Sequence, residues 1–298
     1  MKSTQPQFPI YIPSKGRWEL RTTARYLDMM RVPYRMVVEA GEFASYASVI
    51  NPDNLLILGP VYQRDYDACM HLAEGQSKGS GPARNFIWDH AATSGAPWHW
   101  IMDDNIHGFF RLNKNIKTKL VDGTCFRCME DFVLRYRNIA MAGPNYHGFA
   151  DQRSKMPPMV FNTRIFSCSL IRTDLPFRWR GRYNEDADLS LRMLKAGYCT
   201  VQFNAFLQHK DQTQTQKGGN TSAFYAEEGT LPKSRMLVRL HPDVAKLSWR
   251  YGRWHHHVDY RPFKRNKLIR RNDIEIPSGV DNYGMRLVHL KEREHAGG

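Results

Sequence analysis

The sequence predicts an α/β protein built on a mainly parallel sheet flanked by helices. Three observations carry that reading. Apolar runs of strand length alternate with segments of helical period over the first hundred residues. Helix openings are marked by Gly and Pro, as at Gly79-Ser80-Gly81-Pro82. The apolar run Trp98-His-Trp-Ile-Met102 stops abruptly on Asp103, Asp104 and Asn105, short oxygen-bearing side chains of the kind found at the carboxyl ends of strands in such sheets.

The elements follow in order. Residues 8–12 read as a buried strand, and Pro13-Ser14-Lys15-Gly16-Arg17 as the turn after it. Residues 18–31 carry Leu20, Ala24, Leu27 and Met30 at helical spacing. Residues 34–38 form a second strand ending at Glu39, residues 43–50 a short helix and residues 55–58 a third strand. Residues 82–92 are helical and 98–102 a strand. Beyond the acidic cluster the pattern loosens. Residues 130–140 are a helix candidate, while 141–158, rich in Gly, Pro, His and Asn, read as a long loop. Residues 164–172 alternate as a strand, 189–196 form a helix closed by Gly197, and 198–203 are a strand. Residues 210–221 read as a mobile polar loop. A compositional shift near Gly229 divides the chain into an α/β unit, residues 1–228, and a basic, aromatic-rich extension, residues 229–298.

With 298 residues and 42% hydrophobic content, the chain is long enough for a substantial core. No apolar run reaches membrane-spanning length and no secretory leader pattern stands at the start, so a soluble, non-secreted protein is expected. The five cysteines at 69, 125, 128, 168 and 199 are too few and too scattered for a disulfide framework, and Cys125-x-x-Cys128 lacks the second pair of a zinc site. The formal charge is +14, which points to a polyanionic partner. The excess is uneven, with 15 Lys and Arg against 7 Asp and Glu from Thr230 onward.

Five features suit one active site. Pro13, Ser14, Lys15 and Arg17 follow the first strand, where backbone amides and cations meet a nucleotide. Glu39 offers a carboxylate to a base or ribose. Arg84 and Asn85 lie one turn into a helix, within reach of ribose or phosphate. Asp103, Asp104 and Asn105 would hold a hard cation, Mn²⁺ or Mg²⁺, beside a diphosphate. Glu185-Asp186-Ala-Asp188 precedes an amphipathic helix, where one carboxylate can act as general base on a hydroxyl. Each also has a plain reading, as surface cations, a turn cap, or acids complementing a helix dipole. Lys217, in Lys217-Gly-Gly-Asn220, would close over a pyrophosphate from a flexible segment.

The order of these motifs resembles a nucleotide-sugar-dependent glycosyltransferase of the GT-A fold. Strand, Pro-Ser-Lys-Gly-Arg, strand-end Glu, Gly-Pro-Ala-Arg-Asn helix, Asp-Asp-Asn and Glu-Asp-Ala-Asp-Leu-Ser-Leu-Arg before Lys-Ala-Gly-Tyr span residues 10–209. The resemblance implies a metal held by Asp103, Asn105 and His209 with a nucleoside diphosphate sugar, UDP-linked first among the donors. It also implies that Asp186, or else Asp188, is the base. The third position of the usual Asp-x-Asp is here Asn105, which can ligate only through its amide oxygen. A narrower likeness lies in Gln212-Thr-Gln-Thr-Gln-Lys-Gly-Gly-Asn220, Trp249-Arg-Tyr-Gly-Arg-Trp-His-His-His257 and Phe263-Lys-Arg-Asn-Lys267, which resembles the TET-associated glycosyltransferases of bacteriophages. That likeness implies sugar transfer to hydroxymethylated pyrimidines in DNA, 5-hydroxymethylcytosine or its uracil counterpart, in the cytoplasm of an infected bacterium.

The residues make their own case for DNA. Between Arg250 and Arg271 there are eight Lys or Arg and one acid, Asp259, interleaved with aromatics. Arg250, Arg253, His255, His256, Arg261, Lys264, Arg265 and Lys267 would meet phosphates, and Trp254 would stack on an exposed base. Two other readings stand beside this one. A transferase acting on a glycan, lipid or protein would keep every core motif. A non-catalytic DNA-binding module on a degenerate transferase would explain Asn105 as a lost ligand.

Overall fold

The computed structural model describes residues 4–150, 156–210, 229–275 and 279. The chain opens with β1 (Ile10–Pro13), α1 (Thr22–Met29), β2 (Arg35–Val38), α2 (Phe43–Ala47), β3 (Leu55–Ile57) and α3 (Pro60–Asp65). It continues through α4 (Gly81–Thr93), β4 (Trp98–Met102), β5 (Ile106–Asn113), β6 (Ile116–Lys119), α5 (Thr124–Val133) and β7 (Ile139–Tyr146). Then come β8 (Met159–Phe161), β9 (Cys168–Arg172), α6 (Glu185–Lys195), β10 (Cys199–Lys210), α7 (Leu231–Leu240), β11 (Ala245–Arg250) and β12 (Arg253–Val258).

Ten strands form one sheet in the order β3-β2-β1-β4-β9-β7-β10-β5-β6, with β8 paired to β10. β3, β2, β1 and β4 are parallel neighbours. β9 runs antiparallel to both β4 and β7, and β10 is parallel to β7. β5 and β8 are antiparallel to β10, and β6 to β5, so seven of the ten strands share one direction. Helices cover both faces. The two-residue period of a strand explains how. Ile10 and Ile12 of β1 and Trp98, Trp100 and Met102 of β4 pack with α1 and α5 (Ala24, Leu27, Phe126, Met129). Their neighbours Tyr11 and Ile101 pack on the other side with α4 and α6 (Ile87, Trp88, Leu189, Met193).

The expected elements of the first half are present with ends shifted by a few residues. The helix expected from residue 18 begins only at Thr22, because Arg21 takes a positive φ of 27°. The second half departs more. The hairpin β5–β6 was not expected, and its tight turn is made by Lys114 and Asn115, both at positive φ. Residues 141–146 belong to β7 rather than a loop. Gly143 and Pro144 read as breakers, yet Gly143 is needed there, since a Cβ would lie 2.2 Å from the Cys168 carbonyl oxygen. The helix expected over 130–140 starts earlier, at Thr124, and α6 starts at Glu185, not 189. Residues 151–155 and 211–228, the latter holding Lys217, lie outside the described residues. All five cysteines are free, and burial raises the Cys125 thiol well above its ordinary value, so the Cys-x-x-Cys pair is core.

Beyond Gly229, α7 packs its Leu237 against Ala187, Leu191 and Leu194 of α6, with Phe263 from the following turn. The β11–β12 hairpin lies against α7. Asn266 donates from its amide to the carbonyls of Leu194 and Tyr198, both at 2.8 Å. Among the described residues, no helix is long and apolar enough to cross a membrane.

Candidate active site

A cavity of about 920 Å³ opens at the carboxyl ends of β1 and β4, where an open α/β sheet ordinarily takes its ligand. Its walls come from the turn after β1, the end of β2, residues 75–80, the start of α4, the Asp103-Asp104-Asn105 turn, the start of α6, the end of β10 and Lys233 of α7.

The turn after β4 is fixed from below. Thr23 at the head of α1 donates its hydroxyl to the Asp103 carbonyl at 2.6 Å and accepts from the Ile106 amide at 2.8 Å. Arg17 pairs with Asp104 at 2.5 Å, and Ser14 donates its hydroxyl to the other oxygen at 2.7 Å. Tyr46 extends the chain, its hydroxyl 2.7 Å from Ser14 Oγ and 3.1 Å from the Arg17 amide. Burial raises the Asp104 carboxyl, against the pull of Arg17 and Ser14. Asp103 is different. Arg84 reaches its Oδ1 at 2.9 Å and Lys210 its Oδ2 at 2.6 Å. Burial would raise this carboxyl, but the two cations reverse that and hold it at about 2. Lys210 also donates to Ser167 Oγ at 2.9 Å, which bonds the Tyr146 hydroxyl at 2.6 Å.

At the far end of the cavity stand Glu185 and Asp186, in the first turn of α6. Ser80 donates to Glu185 at 3.0 Å, and Arg84 lies 3.8 Å from it, so Arg84 spans both acidic groups. Burial raises the Glu185 carboxyl. At the opposite end, Lys15 pairs with Glu39 at 2.7 Å and Gln63 donates to the same oxygen at 3.3 Å.

Thus Pro13, Ser14, Lys15, Arg17, Glu39, Arg84, Asp103, Asp104, Asn105, Glu185 and Asp186 line one cavity. Three expected residues do not join them. Asn85 turns inward and uses both ends of its amide on the Trp179 backbone, at 2.8 and 3.0 Å. Asp188 is wholly buried, clasped by Arg180 at 3.1 Å, Arg192 at 2.7 Å and His241 of α7 at 2.9 Å. It is a structural ion cluster, not a base with access to a substrate. His209 faces away from the cavity, its ring 4.9 Å from His147 and 5.8 Å from His107. Its neighbour Lys210, across a break in the pairing of β10 with β5, takes the inward position and lines the cavity.

The set expected for Mn²⁺ or Mg²⁺ therefore does not fit a divalent ion. Both oxygens of Asp103 already face full positive charges, both oxygens of Asp104 are engaged, and His209 is elsewhere. Within that set, the Asn105 amide oxygen is buried without a hydrogen-bond partner among the described residues. A divalent ion about 4 Å from the Lys210 ammonium would meet repulsion on the order of 8 kcal/mol at an effective dielectric of 20. Among the described residues, no group of three His, Cys, Asp or Glu side chains suits a metal.

Sequence reasoning missed Lys210, Lys233, Ser80 and the Tyr146–Ser167 pair. Lys210 was legible in principle, one step along the strand from His209. Lys233 stands beside the Asp186 and Glu185 carboxylates, with Arg164 and Arg253 also close enough to act on its charge.

The expected DNA-binding residues divide into two groups. Arg250, Arg253, Trp254 and His255 lie around the tip of the β11–β12 hairpin, whose turn residues Tyr251 and Gly252 have φ of 53° and 71°. Trp249 packs edge-on against Trp254 at 5.2 Å, yet both stay exposed, as does Tyr251. Ser234 of α7 donates to the Trp254 carbonyl at 3.5 Å, which places this part of β12 against α7, with Arg253 close enough to act on the charge of Lys233. His256 points inward, and burial next to Arg164 and Lys233 pushes it down to about 4. Arg261, Lys264 and Arg265 belong to the turn Arg261–Arg265 and Lys267 follows it, with Asn266 between them bonded to the carboxyl end of α6. Arg261 is tied to Asp259 at 2.8 Å.

Among known proteins, no curated one matches the chain. A family does: TET-Associated Glycosyltransferase, matched over residues 8–219, a span that contains every cavity residue named above except Lys233.

Proposed function

The chain belongs to the TET-associated glycosyltransferase family, and from that membership we propose that it moves a sugar from a nucleoside diphosphate donor, UDP-linked in the first instance, to the hydroxyl of a 5-hydroxymethylpyrimidine in DNA. The observation that supports this most is one cavity that holds Lys15, Arg17 and Glu39 at one end, the cations Arg84 and Lys210 at its centre and Asp186 with Lys233 at the other end. Glu39 accepts hydrogen bonds from the ribose or base. Asp186 takes the proton of the acceptor oxygen as that oxygen attacks the anomeric carbon. A base acting directly on the acceptor suits a single displacement, which inverts that carbon. Trp254 and Tyr251 offer faces for a base turned out of the duplex, and Arg250 and Arg253 neutralise its phosphates.

The test is the intact mass of hydroxymethylcytosine and hydroxymethyluracil duplexes after incubation with the protein and a panel of nucleotide sugars. A gain of one sugar on modified DNA only is the expected result. Hydrolysis or transfer without any gain on DNA would move the acceptor to another class of molecule.

A further inference from the structure

On the reading that the donor is a nucleoside diphosphate sugar, we propose that Lys210, seated on Asp103 and backed by Arg84, supplies the positive charge for the diphosphate leaving group in place of a divalent cation. Lys210 Nζ lies 2.6 Å from Asp103 Oδ2 and Arg84 2.9 Å from Oδ1. That carboxylate is the one whose position, at the end of β4, would otherwise hold an ion between protein and phosphates. Both its oxygens are spent on fixed monovalent cations, and the partner expected to complete a metal shell, His209, is turned to the other side of β10.

The ammonium is held rather than loose. Ser167 Oγ accepts a second bond from it at 2.9 Å, and Tyr146 buttresses Ser167 at 2.6 Å. Its side chain is 12% exposed, and that exposure opens on the cavity. An ammonium has three donors and two are used on the described residues Asp103 and Ser167, while the head lines the cavity where an incoming oxygen would meet it. Preorganised charge of this kind is the usual means of stabilising a developing anion. When the bond between the anomeric carbon and the diphosphate oxygen breaks, its electron pair stays on that oxygen, where Lys210 and Arg84 neutralise it. The acceptor oxygen makes the new bond to carbon and surrenders its proton to Asp186, so no further reactant enters.

Calorimetric titration of the full chain with UDP, CDP, GDP and ADP, once in EDTA and once in 5 mM Mn²⁺, tests this. The expected result is that at least one nucleotide binds in EDTA with an affinity within about threefold of that in Mn²⁺. Lys210→Met should weaken that binding at least tenfold, and Lys210→Arg should restore most of it. Thermal melting of each variant checks that it folds. Binding confined to the Mn²⁺ arm, or binding by Lys210→Met equal to that of the parent, would overturn the proposal and leave the donor reading intact. Failure of all four nucleotides in both arms would overturn both. Binding in EDTA without transfer to modified DNA would remove only the acceptor.

Discussion

Asp186 and Asp188 stand two positions apart on α6 and have opposite fates. Two residues turn a helix by about 200°, so one carboxylate faces the cavity and the other the inner seam with α7. The sequence displays both acids but not which way they point. With the helix expected to start at residue 189, both fell in a preceding loop and neither had a face. The expected consequences separate cleanly. Asp186→Asn should lower transfer by roughly 10²- to 10⁴-fold while nucleotide binding stays within about threefold, read by single-turnover transfer beside calorimetry. Asp188→Asn should destabilise the fold by about 3–5 kcal/mol in urea unfolding, because Arg180, Arg192 and His241 lose their shared anion. Its transfer rate per folded molecule should hold. The same one-step ambiguity exchanged His209 for Lys210 on β10. A residue type is visible in sequence; its facing depends on where the element starts.

Among the elements, those of the parallel half were the most legible. The strands there are short apolar runs, α1 carries its apolar residues at helical spacing, and α4 opens on Gly81 and Pro82, so the patterns differ sharply. The β5–β6 hairpin and β7 were not, because Lys114-Asn115 is an unusual turn pair and Gly143-Pro144 mimics a break that packing against Cys168 overrides. The basic extension was recognised by composition alone, and composition does not say that its cations divide between the β11–β12 hairpin and the turn after it. That division carries a prediction. Arg250→Ala with Arg253→Ala should reduce the slope of log affinity against log salt for duplex DNA by about 2, if each arginine neutralises one phosphate. Donor hydrolysis in the absence of DNA should be unchanged. Fluorescence anisotropy across a salt series measures the first and free nucleotide release the second. An unaltered slope would remove the hairpin from the DNA surface.

Across the whole molecule, one buried acid ties the start of the chain to the sheet and to α5. Glu130 accepts from Trp100 Nε1 at 2.8 Å, the Gln7 amide at 2.6 Å and the Phe8 amide at 3.2 Å. Burial outweighs these bonds and pushes its carboxyl up from 4.5 to about 7. A carboxyl raised by folding contributes stability that is full below its unfolded value and lost as pH rises through the folded one. Between pH 4.5 and 7 the loss is on the order of 3 kcal/mol. Urea unfolding at pH 5 and pH 8 should show it, and Glu130→Gln should shrink the difference by about that amount.

The cluster around Asp188 also bears on how such a protein changes its target. The family match ends at residue 219, yet α6, which carries the proposed base, is completed on its outer side by His241, Leu237, Phe263 and Asn266, all downstream. A chain cut after residue 228 should therefore lose solubility as well as acceptor binding. Grafting the C-terminal segment of a relative would transplant specificity only if the seam residues of α6 travel with it. Divergence in what is modified is thus constrained by foldability: a new acceptor surface must first be a competent half of this protein's own interior.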